Sequence, residues 1–351
     1  MKAIYFTEHG DNSVLKYGDR PTPEPAAGEV RVAVRAAALN HLDLFARNGL
    51  PGVPLPQIPG ADGAGVIDAL GPEVTGWTPG DRVLIQPGIF CGRCEFCLGG
   101  EQCLCVTYRL LGEHLPGTFA EYVVVPAVNV FGIPAGMSFV EAAAFPLVYQ
   151  TAWRMLVGRA VVRPGETVLI HGVGGGVAGA ALEIARLAGA RVIATTSSEA
   201  KAARAREAGA ELVVDYSRED VGQAVRRHTA KRGVDVVVET VGEATWLTSL
   251  RSVAKGGRIV TCGATSGPNP KEEIRLVFWK HISILGSTMA NDREFRSMLA
   301  TVAAGKLEPR IDRVLPLSRA PEAYALMEEG RQDGKLVLVP DGTERSWPDG
   351  D

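Results

Sequence analysis

Apolar positions along the chain fall into two textures. Up to about residue 130 they come in short alternating runs, and in EVRVAVRA the side chains of Val30, Val32 and Val34 share one face, the period-2 pattern of a half-buried strand. With Val, Gly and Pro dense there, the pattern predicts a small antiparallel β domain. From about residue 165 short apolar runs alternate with Ala-rich helical stretches: ETVLIHG, RVIAT, ELVVDY, VDVVVET, GRIVTCG and ISILGS. Strand and helix in this alternation predict a doubly wound parallel sheet, so the fold class is α/β. Boundaries are expected after residues 148 and 288. Residues 289–340 then return to the first domain through the strand-like KLVLV (Lys335–Val339), and 341–351 form a polar tail.

A length of 351 residues exceeds what one core usually organises and agrees with two domains. The uncharged stretch Tyr122–Val140 is broken by Pro126, Asn129, Gly132, Pro134 and Gly136, so it reads as buried strands and turns rather than a membrane span. A net charge of -3 without a basic block leaves no footprint for nucleic acid or anionic membrane, which points to small-molecule chemistry. Glu8 and Asp11 interrupt the N-terminus before an apolar signal segment forms, so a cytoplasmic location is expected.

Val168 to His171 runs into Gly172, Val173, Gly174, Gly175, Gly176 and Val177, followed by an Ala-rich helix. Strand, glycine turn and helix make a dinucleotide-binding opening, in which backbone approaches the pyrophosphate and the helix start holds its charge. At the tip of the next strand, where an acid would hold the 2′-hydroxyl of NAD, stand Thr195, Thr196, Ser197 and Ser198. Lys201 and Arg204 follow early in the next helix. Neutral tip and nearby cations favour NADP(H) over NAD(H), with solvated surface cations as the alternative. Tyr216 and Gly263, each just beyond a later strand, complete the candidate cofactor contacts.

Five of the six cysteines lie between Cys91 and Cys105, beginning CxxCxxC. Four thiolates from one short loop suit a closed tetrahedral structural zinc, with Cys91, Cys94 and Cys97 joined on spacing by Cys103 or Cys105. Disulfides are the rival, disfavoured in a chain with no export signal.

The cysteine loop, GADGAGVIDALGPEVTGWTPGDRV (Gly60–Val83) and VLIHGVGGGVAGAALEIARLAGA together carry a resemblance. Over residues 1 to about 340 the chain resembles the medium-chain dehydrogenase/reductase superfamily of zinc alcohol dehydrogenases and quinone oxidoreductases. The resemblance implies a GroES-like catalytic domain, a Rossmann domain inserted in it, and chemistry in the cleft between them. It implies Cys91, Cys94, Cys97 and Cys105 as the zinc ligands, leaving Cys103 an extra thiol. It also implies subunit pairing through the last Rossmann strand, here ILGS, in a homodimer or homotetramer.

Departures from the family carry more information. Where its alcohol dehydrogenases bind a second, catalytic zinc, this chain has Asn40, Ala61 and Leu147, none of which binds zinc. Leu42 and Phe45 replace the proton relay. Asn40, Asp43 and a glycine turn one residue longer match the zinc-independent quinone and enone reductases, while Ala178 replaces the usual last glycine. The resemblance therefore implies hydride transfer from NADPH to a quinone or an α,β-unsaturated carbonyl. Asn40 is the expected donor to the substrate oxygen, with Tyr149 and Thr151 lining the nicotinamide pocket and His41 a possible proton source. Two alternatives stay open: an alcohol dehydrogenase with a displaced zinc on His41, Asp43 or Asp62, and a non-enzymatic NADPH-binding redox sensor using Cys103.

Overall fold

The computed structural model describes residues 1–343. Its described residues form two compact units, residues 1–147 with 309–343, and residues 148–308.

In the first unit a seven-stranded sheet is organised around Glu29–Ala38, which pairs antiparallel with Asp62–Leu70, Tyr122–Pro126 and Lys335–Val339. Val30, Val32 and Val34 are all buried, as their alternation predicts. A side chain at Gly65 would put its Cβ 2.1 Å from the Ala33 carbonyl oxygen, so only glycine lets Asp62–Leu70 cross here. The expected return of KLVLV to this unit is present. Ile311–Pro316 lies parallel to Lys335–Val339, the helix Ala320–Glu328 links them, and Val337 and Leu338 pair with Ala38 and Ala37. Leu39 N then donates to the Leu336 carbonyl at 2.9 Å, which fixes Lys335 beside residue 40.

The second unit is a six-stranded sheet, parallel throughout. In space its strands run Leu212–Asp215, Arg191–Thr196, Thr167–Ile170, Val234–Glu239, Val253–Thr261, Ser283–Gly286. In chain order this is 3-2-1-4-5-6, the doubly wound arrangement that binds dinucleotides where the order reverses. Val168, Leu169 and Ile170 are fully buried because helices cover both faces of such a sheet. Ser283–Gly286 is an edge, with Ile284 40% and nearby Trp279 73% exposed.

The chain leaves this unit after Glu308, twenty residues later than the expected boundary at 288. The helix Asp292–Ala303 holds it there: Phe295 and Met298 are fully buried, and Glu294 forms a buried ion pair with Arg154 at 2.7 Å. Of the expected tail, residues 344–351 lie outside the described residues, while Asp341 accepts a hydrogen bond from Ser318 N at 3.0 Å. Glu294→Gln removes the carboxylate charge that the buried Arg154 guanidinium meets at 2.7 Å. The change should cost about 3 kcal/mol and lower the melting temperature measured by calorimetry, whereas an unchanged melting temperature would mean that the pair is not desolvated.

Candidate functional site

Cys91, Cys94, Cys97 and Cys105 come together in the first unit with all four Sγ atoms within 4.8 Å of one another. A short helix, Glu95–Leu98, and a 3-10 turn, Gln102–Leu104, bend the loop so that its ends meet. Tetrahedral Zn–S bonds of about 2.3 Å separate sulfurs by about 3.8 Å, and the Cys91 and Cys97 sulfurs stand 4.0 Å apart. Backbone N–H groups of Cys91 and Thr107 donate to the Cys105 sulfur, and Cys94 N donates to that of Cys91. Burial raises the Cys105 thiol, but these donors outweigh it and bring its pKa to about 6, a thiolate at neutral pH. The donor set fits a structural zinc. Cys103 lies outside the cluster, buried, with its sulfur 4.0 Å from a Glu101 carboxylate oxygen.

The glycine turn in the second unit is held from below. Gly172 N donates to Thr195 Oγ1 at 3.1 Å, and Val173 N to the Thr195 carbonyl at 2.9 Å. Gly175 then caps the helix Gly176–Leu187, whose first N–H groups have no partner within the helix. Gly172 has φ +64°, which favours glycine, and a Cβ at Gly174 would lie 2.5 Å from Lys201 Cδ. The Lys201 side chain therefore leans over the turn. Thr196 is buried and accepts from Ser198 N, while Ser197 donates to the Tyr216 hydroxyl at 3.0 Å on the surface. Ala178, in place of the last family glycine, is buried without disturbing the helix, and Gly263 follows the fifth strand. Bare backbone, a helix N-terminus and a neighbouring cation suit a dinucleotide phosphate.

The positions of a catalytic zinc tell a different story. Asn40 precedes the helix His41–Asn48, and its N–H donates to Asp43 Oδ2 at 2.8 Å. Its side-chain amide hydrogens go to the Ala38 carbonyl at 3.2 Å and Asp62 Oδ2 at 2.9 Å, and its oxygen accepts from Lys335 Nζ at 2.6 Å. Both amide hydrogens of Asn40, the expected donor to a substrate oxygen, are thus engaged within the protein. Lys335 also pairs with Asp62 at 3.1 Å, and Leu147 N donates to Asp62 Oδ1 at 2.7 Å. Asp62 is fully buried and Lys335 is 5% exposed along its side chain. An ammonium and amides thus fill the carboxylate that a metal would need, and the three family positions do not fit a catalytic zinc.

Nor do the side chains of the displaced alternative form a site. Asp43 accepts from Asn40 N and Gly60 N, and burial pushes its carboxyl up to about 7 against those donors. Burial, followed by the Lys335 charge, holds the His41 imidazole below its usual value and hence neutral at pH 7, where it has no spare proton to give. Among the described residues the only grouping of His, Cys, Asp or Glu suited to a metal is the cysteine cluster. Lys335, the residue tying this centre together, had no functional signal in the sequence beyond being a cation at the head of an apolar strand.

Tyr149, expected to line the nicotinamide pocket, has its hydroxyl engaged within the second unit. Its hydroxyl lies 3.0 Å from a Glu183 carboxylate oxygen and 2.9 Å from the Glu308 carbonyl oxygen, in the core of the second unit. Burial and the Glu183 charge hold it protonated, so its hydroxyl braces the unit. Thr151 is buried, with its hydroxyl 3.8 Å from the Met289 sulfur.

Residues 26–135 match the family model of the alcohol dehydrogenase GroES-like domain, and residues 176–304 that of the zinc-binding dehydrogenase. The chain is 34% identical to the acryloyl-coenzyme A reductase of Metallosphaera sedula, over 97% of this chain and 100% of that one. An NAD-dependent alcohol dehydrogenase of Sulfurisphaera tokodaii is 32% identical over 97% and 100% of the two chains. A crystal structure described as an NAD-dependent alcohol dehydrogenase superposes with a TM-score of 0.93 at 48% identity, covering 97% of this chain and 99% of that one. Sequence, fold and relatives agree that the chain belongs to the medium-chain dehydrogenase/reductase superfamily, among the NAD(P)-dependent oxidoreductases of the zinc-type alcohol dehydrogenase family.

Proposed function

We propose that the protein reduces an α,β-unsaturated carbonyl compound or a quinone with NADPH, without a catalytic metal. The observation that carries this reading is the centre built from Asn40, Asp62, Leu147 and Lys335, where the family's catalytic zinc has no ligands. An alcohol must lose its hydroxyl proton before it gives up hydride, and zinc makes that possible by acidifying it. A conjugated acceptor begins electron-poor and passes the arriving charge to its oxygen, so a positioned donor suffices. The Metallosphaera relative is named for a substrate of this kind, a conjugated thioester.

When bound, the reduced nicotinamide supplies the hydride. The glycine turn and the helix start at Gly176 hold its phosphates, and Thr151 is the candidate side chain beside the ring. Thr196 and Ser197 leave room for a 2′-phosphate, and Lys201 gives it a counter-charge. Two chains pair through the exposed edge Ser283–Gly286, which would otherwise remain an open hydrogen-bonding template.

One zinc per chain should be found by elemental analysis, and Cys97→Ser should release it and destabilise the chain while sparing NADPH affinity in the folded fraction. Two zincs per chain would restore the metal-dependent alternative.

For cofactor choice, titration should give tighter binding of NADPH than of NADH. Lys201→Ala should then weaken NADPH about fivefold, on the order of 1 kcal/mol, and NADH less. Equal losses for both would assign the ammonium to the shared pyrophosphate over Gly174.

Steady-state assays should find kcat/KM for enoyl thioesters, enones or quinones at least about tenfold above that for ethanol or benzyl alcohol, a gap of roughly 1.4 kcal/mol. Chelator-sensitive alcohol oxidation with no acceptor turnover would overturn the proposed reaction.

A further inference from the structure

Three segments of the second unit meet at the Tyr149 hydroxyl. Tyr149 belongs to the helix Pro146–Trp153 and Glu183 to the helix Gly176–Leu187, while Glu308 is the last residue of the unit. The hydroxyl oxygen stands 2.9 Å from the Glu308 carbonyl oxygen, and 3.1 and 3.0 Å from Oε1 and Oε2 of Glu183. All of these partners are oxygens, and a phenol has a single hydrogen to place among them. Given to the carbonyl, that hydrogen leaves the hydroxyl oxygen facing the carboxyl with no proton between them. Given to the carboxyl, it leaves the same gap at the carbonyl. A proton on Glu183 fills both contacts. Glu308 N donates to Glu183 Oε2 at 3.3 Å, so Oε1 is the oxygen left to carry it.

The hydrogen bonds then close into a ring. Glu183 Oε1–H donates to the Tyr149 oxygen, the Tyr149 hydroxyl to the Glu308 carbonyl, and Glu308 N–H back to Glu183 Oε2. Each donor in such a chain polarises the next and strengthens it. The surroundings favour the neutral acid. Tyr149 faces Glu183 from one helix and the Glu308 charge from the exit segment, and among the described residues no cation pairs with Glu183. Burial pushes its carboxyl up to about 7 against the Tyr149 and Glu308 N–H donors, with the Glu308 charge adding to the rise.

We propose that Glu183 is a proton-operated clasp on the second unit: protonated, it ties residue 308 to the helix that follows the glycine turn, and ionised, it takes the Tyr149 hydrogen and releases the Glu308 carbonyl. The step is an acid ionisation, with the proton passing to solvent water. Glu308 is exposed, so water can take up the freed carbonyl. The clasp lies wholly within residues 148–308 and stands apart from the choice of substrate.

Glu183→Gln tests it, because the amide NH2 donates to Tyr149 while the amide oxygen accepts from Glu308 N, copying the protonated ring in a form that cannot titrate. A carboxyl raised from 4.5 to about 7 on folding contributes stability that is complete below 4.5 and is lost as pH rises to about 7. The full-length variant should therefore melt close to the parent at pH 5 and above it at pH 8, by at least about 3 °C. A margin that stays constant with pH overturns the clasp. In infrared difference spectra between pH 6 and pH 8, the parent should lose a protonated-carboxyl band that is missing from the Glu183→Gln spectra. Tyr149→Phe, which removes the acceptor of that proton, should move the band to higher frequency. Parent spectra without the band, or a band that Tyr149→Phe leaves in place, overturn the ring whatever the stability of the Gln variant.

Discussion

A charge inside a protein needs a partner, and the Asp62–Lys335 pair meets that requirement across 273 residues of chain. Asp62 opens one strand of the first sheet and Lys335 opens another, with Glu29–Ala38 between them. The pair therefore ties the N-terminal strands to the last one, while the Asp62 carboxylate also fixes the backbone at Leu147, the final residue before the chain enters the second unit. One carboxylate thereby joins four segments of the first unit, those of Asn40, Asp62, Leu147 and Lys335. A divalent cation needs several anionic or imidazole ligands, whereas the Lys335 ammonium is met by one carboxylate and one amide.

The second unit rests on a comparable device. Glu239 is fully buried and accepts from the backbone of Val241 and Gly242 and from the hydroxyls of Thr245 and Ser249. Ser249 meets His171 Nε2 at 3.0 Å, directly ahead of the glycine turn. The ends of the first and fourth strands, where the strand order reverses, are thus held by one hydrogen-bonded carboxylate. A rigid floor is what a phosphate-binding turn requires, because its N–H groups must point outward before the anion arrives.

Legibility in the sequence followed the range of the interactions concerned. Val30, Val32 and Val34 announced a half-buried strand, and Val168 to Ile170 a fully buried one, because periodicity is local. The cysteines were readable for the same reason, being closely spaced in one loop. What escaped depended on distant partners. The late exit at Glu308 follows from Glu294 meeting Arg154, 140 residues away. The partners of the Tyr149 hydroxyl, Glu183 and Glu308, lie 34 and 159 residues away. The surroundings of Asn40 depend on Lys335, 295 positions further on, which no local pattern distinguishes from any cation at a strand end.

The first unit is discontinuous, and a chain made from its N-terminus must build it in two instalments. Its central strand Glu29–Ala38 emerges early, but Lys335–Val339 leaves the ribosome only after the whole parallel sheet. At about 5 to 20 residues per second, the 273 residues between Asp62 and Lys335 take roughly 14 to 55 s to synthesise. Throughout that interval the nascent sheet has an open edge at Ala37 and Ala38 and an acid awaiting its counter-ion. The dinucleotide-binding unit, continuous from 148 to 308, has no such wait and is complete first. The edge of the first sheet is therefore closed only when Lys335–Val339 pairs with Ala37 and Ala38.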